Sequence, residues 1–162
     1  MTCYLLDTNV LTELEDRRKP GFALVAARLA ALSDTDEVLL SILSAYEYRH
    51  GISKAPVGLK ESLLMAWRDF ERRFTSIGLT SAGAVLYGEL KSQYQESTGA
   101  SSKQMKTATV DFILASSALE HDAVLVSDDR IFRTIQGFHP ALRVQNWLVD
   151  ETSTSDSRGN DR

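Results

Sequence analysis

Four carboxylates stand where apolar runs end or helical patterns begin. Asp7 follows the run "CYLL", and Glu47 lies in "SAYEYRHG". Asp111 opens "TVDFILASSALEH", and Asp129 follows the apolar run of "VLVSDD". A carboxylate beside a buried segment is costly unless a cation or a donor meets it. Clustered carboxylates also raise one another's pKa, so four at one place call for countercharge. Mg²⁺ or Mn²⁺ suits that role: each is hard, oxygen-seeking, and held by carboxylates, waters and substrate phosphates. Any single acid near a helix start is more often a cap or a dipole partner than a ligand. Four at one edge weaken that simpler explanation.

Other chemistries lack their parts. His50, His121 and His139 are scattered, and the single cysteine, Cys3, cannot build a zinc–thiolate site. Inside the first apolar run, Cys3 reads as a small core residue. No Gly-x-x-x-x-Gly-Lys phosphate loop, dinucleotide fingerprint or Ser/His/Asp arrangement is evident.

The elements that must position the acids read as a parallel α/β fold. Apolar runs bounded by turn residues alternate with longer helical patterns, the signature of βαβ units. Strands are expected over residues 2–6, 38–42, 75–79, 123–126 and 142–147, the first and fourth central and buried. Helices are expected over 22–32, 44–52, 59–74, 82–94 and 107–121, and the polar stretch 95–106 reads as a loop. The stripe Leu59, Leu63, Ala66, Trp67 and Phe70 reads as core or a helix–helix contact. In such a sheet, strand C-termini and the N-termini of the following helices share one edge, where ligands bind. All four acids map to it. Asp111 and Asp129 are 18 residues apart. About ten helical residues descend roughly 15 Å, and a turn and strand climb back about as far.

The whole chain fits one domain. It has 162 residues, 43% of them hydrophobic, which suffices for a sizeable core. Cysteine usage suits a reducing compartment, no basic leader precedes the first acid, and a cytoplasmic protein is expected. Residues 149–162 lack apolar character beyond Val149 and are expected to be a disordered polar tail. The net charge is −4, but from Asp150 onward the chain holds four of its 22 acids and two of its 18 bases. Before that point 16 bases face 18 acids, and with four acids on a metal the remaining surface turns slightly positive. Overall acidity therefore does not exclude a phosphate-rich substrate.

The stretches "LLDTNVL", "SILSAYEYRHGI", "TVDFILASSALEHDAVLVSDDRIF" and "LRVQNW" together resemble the PIN-domain ribonucleases, and within them the VapC-type toxins of bacterial toxin–antitoxin pairs. The resemblance spans residues 1–148, expected as the PIN domain, with four motifs in the right order and spacing. It implies a three-layer α/β/α fold around a parallel five-stranded sheet. It further implies that Asp7, Glu47, Asp111 and Asp129 are catalytic metal ligands, with Mg²⁺ as cofactor and Mn²⁺ as substitute. Asn9, Ser44 and Ser127 match the supporting polar positions, Ser127 standing where Thr is more usual. Asp128 leaves the fourth acid open between two neighbours, although the spacing favours Asp129. The implied partners are RNA, a cognate antitoxin and a second copy of the chain.

A metal that polarises the phosphodiester and activates water needs no protein nucleophile, which agrees with the missing triad. Candidate RNA contacts are Arg17, Arg18 and Lys19, Lys103 and Lys106, and Arg130 and Arg133. Taken singly, each is more often a solvated surface charge than a required contact. Two other functions compete with an Mg²⁺-dependent endoribonuclease. A non-catalytic PIN-like binding module has no physical reason to keep four repelling carboxylates. A receiver-type phosphoacceptor wants an acid pair after the first strand and a Lys after the last, and neither is present.

Overall fold

Two adjacent leucines set the architecture. Leu5 and Leu6 end the first strand, and successive strand side chains point to opposite faces. Leu5 packs with one buried cluster and Leu6 with the other. A strand that is apolar on both faces belongs inside a sheet covered by helices on both sides. The computed structural model describes residues 1–150 and shows that arrangement.

Five strands, β1 (Cys3–Leu6), β2 (Glu37–Ser41), β3 (Thr75–Ile77), β4 (Ala123–Val126) and β5 (Arg143–Gln145), are all parallel, in the order β3-β2-β1-β4-β5. One face carries α1 (Thr8–Leu14), α2 (Phe22–Ala30), α3 (Ile42–Lys54) and α4 (Val57–Arg73), whose Leu11, Val25, Tyr48 and Trp67 pack with Leu6, Leu40 and Val126. The other carries α5 (Ser81–Thr98), α6 (Ser102–Thr107), α7 (Thr109–Glu120) and α8 (Arg130–Phe138), whose Leu90, Met105, Phe112 and Phe132 pack with Leu5, Leu39 and Leu125. Phe112 is fully buried in that layer, and truncating such a ring to Ala costs about 3–5 kcal/mol. The α/β/α layering and parallel sheet are as the sequence predicts. Trp67 and Phe70 are core residues.

Three helices go beyond the sequence reading. The stretch 95–106 is not a loop: α5 runs to Thr98, and α6 occupies Ser102–Thr107. Its composition misleads because α6 buries only Met105. What makes it a helix is its start. Ser101 and Gln104 form a reciprocal capping box. Gly99 ends α5 in the left-handed region (φ 67°), where glycine carries no side-chain penalty. Helices α1 and α8 are short, and each is capped by an aspartate of the sheet edge, Asp7 and Asp129. The expected tail at 149–162 falls, from residue 151 onward, outside the described residues.

Strand register places the site. Leu6 lies level with Leu40 and Val126. The Asp7 N–H then donates to Val126 O at 3.0 Å, and the Ser127 N–H to Gln145 O at 3.0 Å. Ladder hydrogen bonds thus extend one residue beyond the strands and hold both polar residues at one height. No described helix is long and apolar enough to cross a membrane.

Candidate active site

Asp7 enters the edge from β1 and caps α1. Its Oδ1 accepts from the Thr8 N–H at 2.6 Å, and its Oδ2 from the Ser127 hydroxyl at 2.6 Å. Burial pushes its pKa up, since only 9% of the residue is exposed, and the Glu47 and Asp129 charges push the same way. The Ser127 and Thr8 donors oppose the shift without cancelling it.

The other acids surround it. Asp111 lies in the first turn of α7, and burial raises its pKa to about 6, helped by the charges of Asp129, Asp7 and Glu47. Glu47 lies in the second turn of α3, exposed, its Oε2 accepting from the Thr8 hydroxyl at 2.6 Å. Asp129 caps α8, accepting from the Ile131 N–H at 3.1 Å, while its own N–H donates to the Ser127 hydroxyl at 3.1 Å. Two acids thus come from each helical layer and stand at the same end of the sheet. No ion pair to any of them occurs among the described residues.

The supporting residues divide. Ser127, buried, is the hub between Asp7, Asp129 and the Asn9 amide at 3.3 Å. The Asn9 Nδ2 also donates to Asp128, which holds that acid by a different partner from the quartet. Asp129, rather than Asp128, is the neighbour whose charge is felt at Asp7 and Asp111. Ser44 lies on α3, buried, with no hydrogen-bond partner for its hydroxyl. Thr8 escaped the sequence reading. Its signal was available: a hydroxyl at the first helical position after a strand-end acid can reach a neighbouring helix.

Of the basic candidates, Arg130 and Arg133 are exposed in the first turn of α8, beside Asp129. Lys103 and Lys106 are exposed on α6, which leads into α7. Arg18 and Lys19 are engaged elsewhere, at 2.7 Å from Asp16 and 2.7 Å from Glu15. Arg17, exposed, lines a groove between α2 and α4, at the far end of α1 from Asp7.

The donor set suits a hard divalent cation. It is all oxygen, two of its acids are pushed above the usual carboxylate range, and the Asn9 Oδ1 is buried beside it without a partner. Among the described residues no three His, Cys, Asp or Glu side chains already converge as a metal cage. The acids stand apart, as like charges do, two of them turned onto hydroxyl donors.

Comparison with known proteins agrees with this architecture. The sequence finds no significant match among curated proteins. The fold is similar to VapBC2 from Rickettsia felis bound to a DNA fragment from its promoter, with TM-score 0.72 and 24% identity over 90% of this chain and 99% of that one. It is also similar to VapBC-1 from nontypeable Haemophilus influenzae, with TM-score 0.69 and 20% identity over 91% and 100%. FitAcB from Neisseria gonorrhoeae gives TM-score 0.64 and 23% identity over 89% and 97%. The family match itself runs over residues 4–137, through all four acids and four of the five strands, and the chain belongs to the PIN domain family.

Proposed function

We propose that the chain is an Mg²⁺-dependent endoribonuclease, acting as the toxin of a toxin–antitoxin pair in the cytoplasm. The observation that carries this is the quartet itself: four carboxylates on four elements, mutually repelling and without a protein cation among the described residues. Asp7, Glu47, Asp111 and Asp129 would hold the metal, with Mn²⁺ able to replace Mg²⁺. When bound, the metal polarises the phosphodiester, brings a water toward hydroxide and stabilises the leaving oxygen. The chain's own work is positioning. Ser127 orients Asp7, Thr8 orients Glu47, and the capped starts of α1 and α8 fix Asp7 and Asp129 to rigid elements. Arg130, Arg133, Lys103 and Lys106, exposed on the α5–α8 side, would meet RNA phosphates.

The solved VapBC and FitAB structures hold such proteins with DNA or in toxin–antitoxin assemblies, which supports an inhibitory protein partner here. That antitoxin would offer Arg or Lys to the acidic edge. The groove between α2 and α4, where Phe22, Leu29 and Met65 alternate with Arg17, Asp69 and Arg73, would take one of its helices. A homodimer is proposed on the resemblance alone.

The test is cleavage of tRNA, rRNA and mRNA by the purified chain with Mg²⁺ or Mn²⁺. Cleavage should stop in EDTA, and Zn²⁺ should replace Mg²⁺ poorly. Expression alone should arrest growth, relieved by the product of the neighbouring reading frame. Binding of RNA with no cleavage under any metal would leave the non-catalytic module instead.

A further inference from the structure

The chain turns its aromatic rings inward, with one exception. Its six Phe, five Tyr and two Trp all lie within the described residues, and only Tyr46 among them is exposed. Fully 72% of that residue is open to solvent. No other described ring packs against it. A ring of this size ordinarily contributes its face to the core.

Its place in the fold gives that exposure a use. Tyr46 directly precedes Glu47 in α3, and successive helical side chains turn about 100° around the axis. Glu47 turns to the Thr8 hydroxyl of α1, and Ser44, Tyr48 and Ile52 turn into the core. Tyr46 is left on the outer side. Side chains three and four residues apart are neighbours on a helix. Tyr46 therefore has Ile42, 39% exposed, on the turn nearer the sheet edge, and exposed Arg49 and His50 on the turn below. Lys54, also exposed, follows one turn further. Neither Arg49 nor Lys54 forms an ion pair among the described residues, and Glu47 is the one acid of α3.

We infer that Tyr46 is the platform on which the nucleobase beside the scissile phosphate stacks, an inference that rests on the nuclease reading. Arg49 and Lys54 then meet phosphates of the strand leading away. Stacking tolerates any base, because every base has a π-face, so the platform fixes where the strand lies and not which sequence it carries. The charges decide between occupants. A basic inhibitor segment would be repelled by Arg49 and Lys54, whereas RNA brings the phosphates that position a strand on such cations. The strand crosses the sheet edge, held by Lys106 and Arg130 in one helical layer and by Tyr46 in the other.

A short single-stranded RNA that the full chain cuts, remade as a series in which each member lacks one base, tests this. One abasic position beside the cut should bind about tenfold more weakly in EDTA, as expected for one lost stack. With metal it should raise KM far more than it lowers kcat. Tyr46→Ala should weaken the intact RNA by the same factor and that abasic RNA no further, because both changes delete one contact. Tyr46→Phe, which keeps the ring, should rescue most of the loss, and Tyr46→Leu, which keeps only apolar bulk, should not. All three variants should melt with the parent, since the side chain is exposed. A Tyr46→Ala chain that binds and cuts the whole series like the parent overturns the inference and leaves the nuclease reading standing. So does one that loses only its grip on the antitoxin. If no RNA is cut under any metal, the nuclease reading fails, and anisotropy of labelled oligoadenylate decides the platform separately. There, binding about tenfold weaker for Tyr46→Ala and rescued by Tyr46→Phe supports the platform. Equal binding by all variants, or none by the parent, overturns it.

Discussion

The two edges of the sheet treat their aspartates in opposite ways. At the N-terminal edge, Asp36 precedes β2 and accepts from the Thr2 N–H at 2.8 Å and the Ser33 N–H at 3.0 Å. Those donors hold its pKa below the usual carboxylate range. Asp122, before β4, pairs with Arg143 at 2.7 Å. At the C-terminal edge, Asp7 and Asp111 are pushed up by burial and by other acids, and neither has a cation among the described residues. Carboxylates that fasten loops acquire donors. Asp7 and Asp129 cap helices, yet the mutual repulsion of the acids works against the fold, and the proposed metal would supply the missing countercharge.

The largest expected contrast is in activity. On the proposed metal site, Asp111→Asn should lower RNA cleavage by about 100-fold or more, since it would take away one proposed ligand, and should leave the fold intact without metal. Asp36→Asn should do the reverse, cutting RNA normally and melting earlier. Initial cleavage rates and melting curves of the two variants check both halves.

A smaller effect is expected one shell outward. Thr8→Val removes the hydroxyl that holds Glu47, and such supporting partners are worth about 10–100-fold in metal affinity or activity. Thr8→Ser should restore most of it. Mn²⁺ titration of the three proteins reads the effect apart from cleavage.

The edges should also differ in pH dependence. Asp111 is raised from 3.8 to about 6, so the metal-free fold binds more protons than the unfolded chain within that window. Stability from this group is present below the unfolded pKa and is lost as pH rises toward 6. Asp36 is lowered instead, so its contribution is present above 3.8 and is lost as pH falls below it. Denaturant midpoints from pH 3 to 7 should show both limbs, with Asp111→Asn flattening only the upper one. The smallest effect belongs to Arg143→Ala, which breaks an exposed pair worth about 0–1 kcal/mol and should not alter cleavage.

Legibility in the sequence followed burial. Central strands β1 and β4 were readable because both faces are apolar, and Trp67 and Phe70 because their spacing leaves one dry stripe. The acids were readable because strand ends and helix starts share an edge. Helix α6 was not, since its stability comes from a capping box rather than an apolar face. Side-chain direction was equally hidden. Nothing in the order of residues says that Asn9 turns to Asp128 or that Ser44 stays without a partner among the described residues.

The central claim is that Asp7 sits among charges that only a metal reconciles, and one set of melting curves tests it most directly. Asp7→Asn keeps a capping side chain at the start of α1 and removes one buried charge. Without metal it should be at least as stable as the parent, by up to about 0.5–2 kcal/mol. Mg²⁺ or Mn²⁺ should raise the melting temperature of the parent, because a ligand of the folded state alone stabilises it. The variant should gain much less and should lose most RNA cleavage. A variant that melts lower, responds to metal like the parent and still cuts RNA would make Asp7 a structural cap and contradict the account.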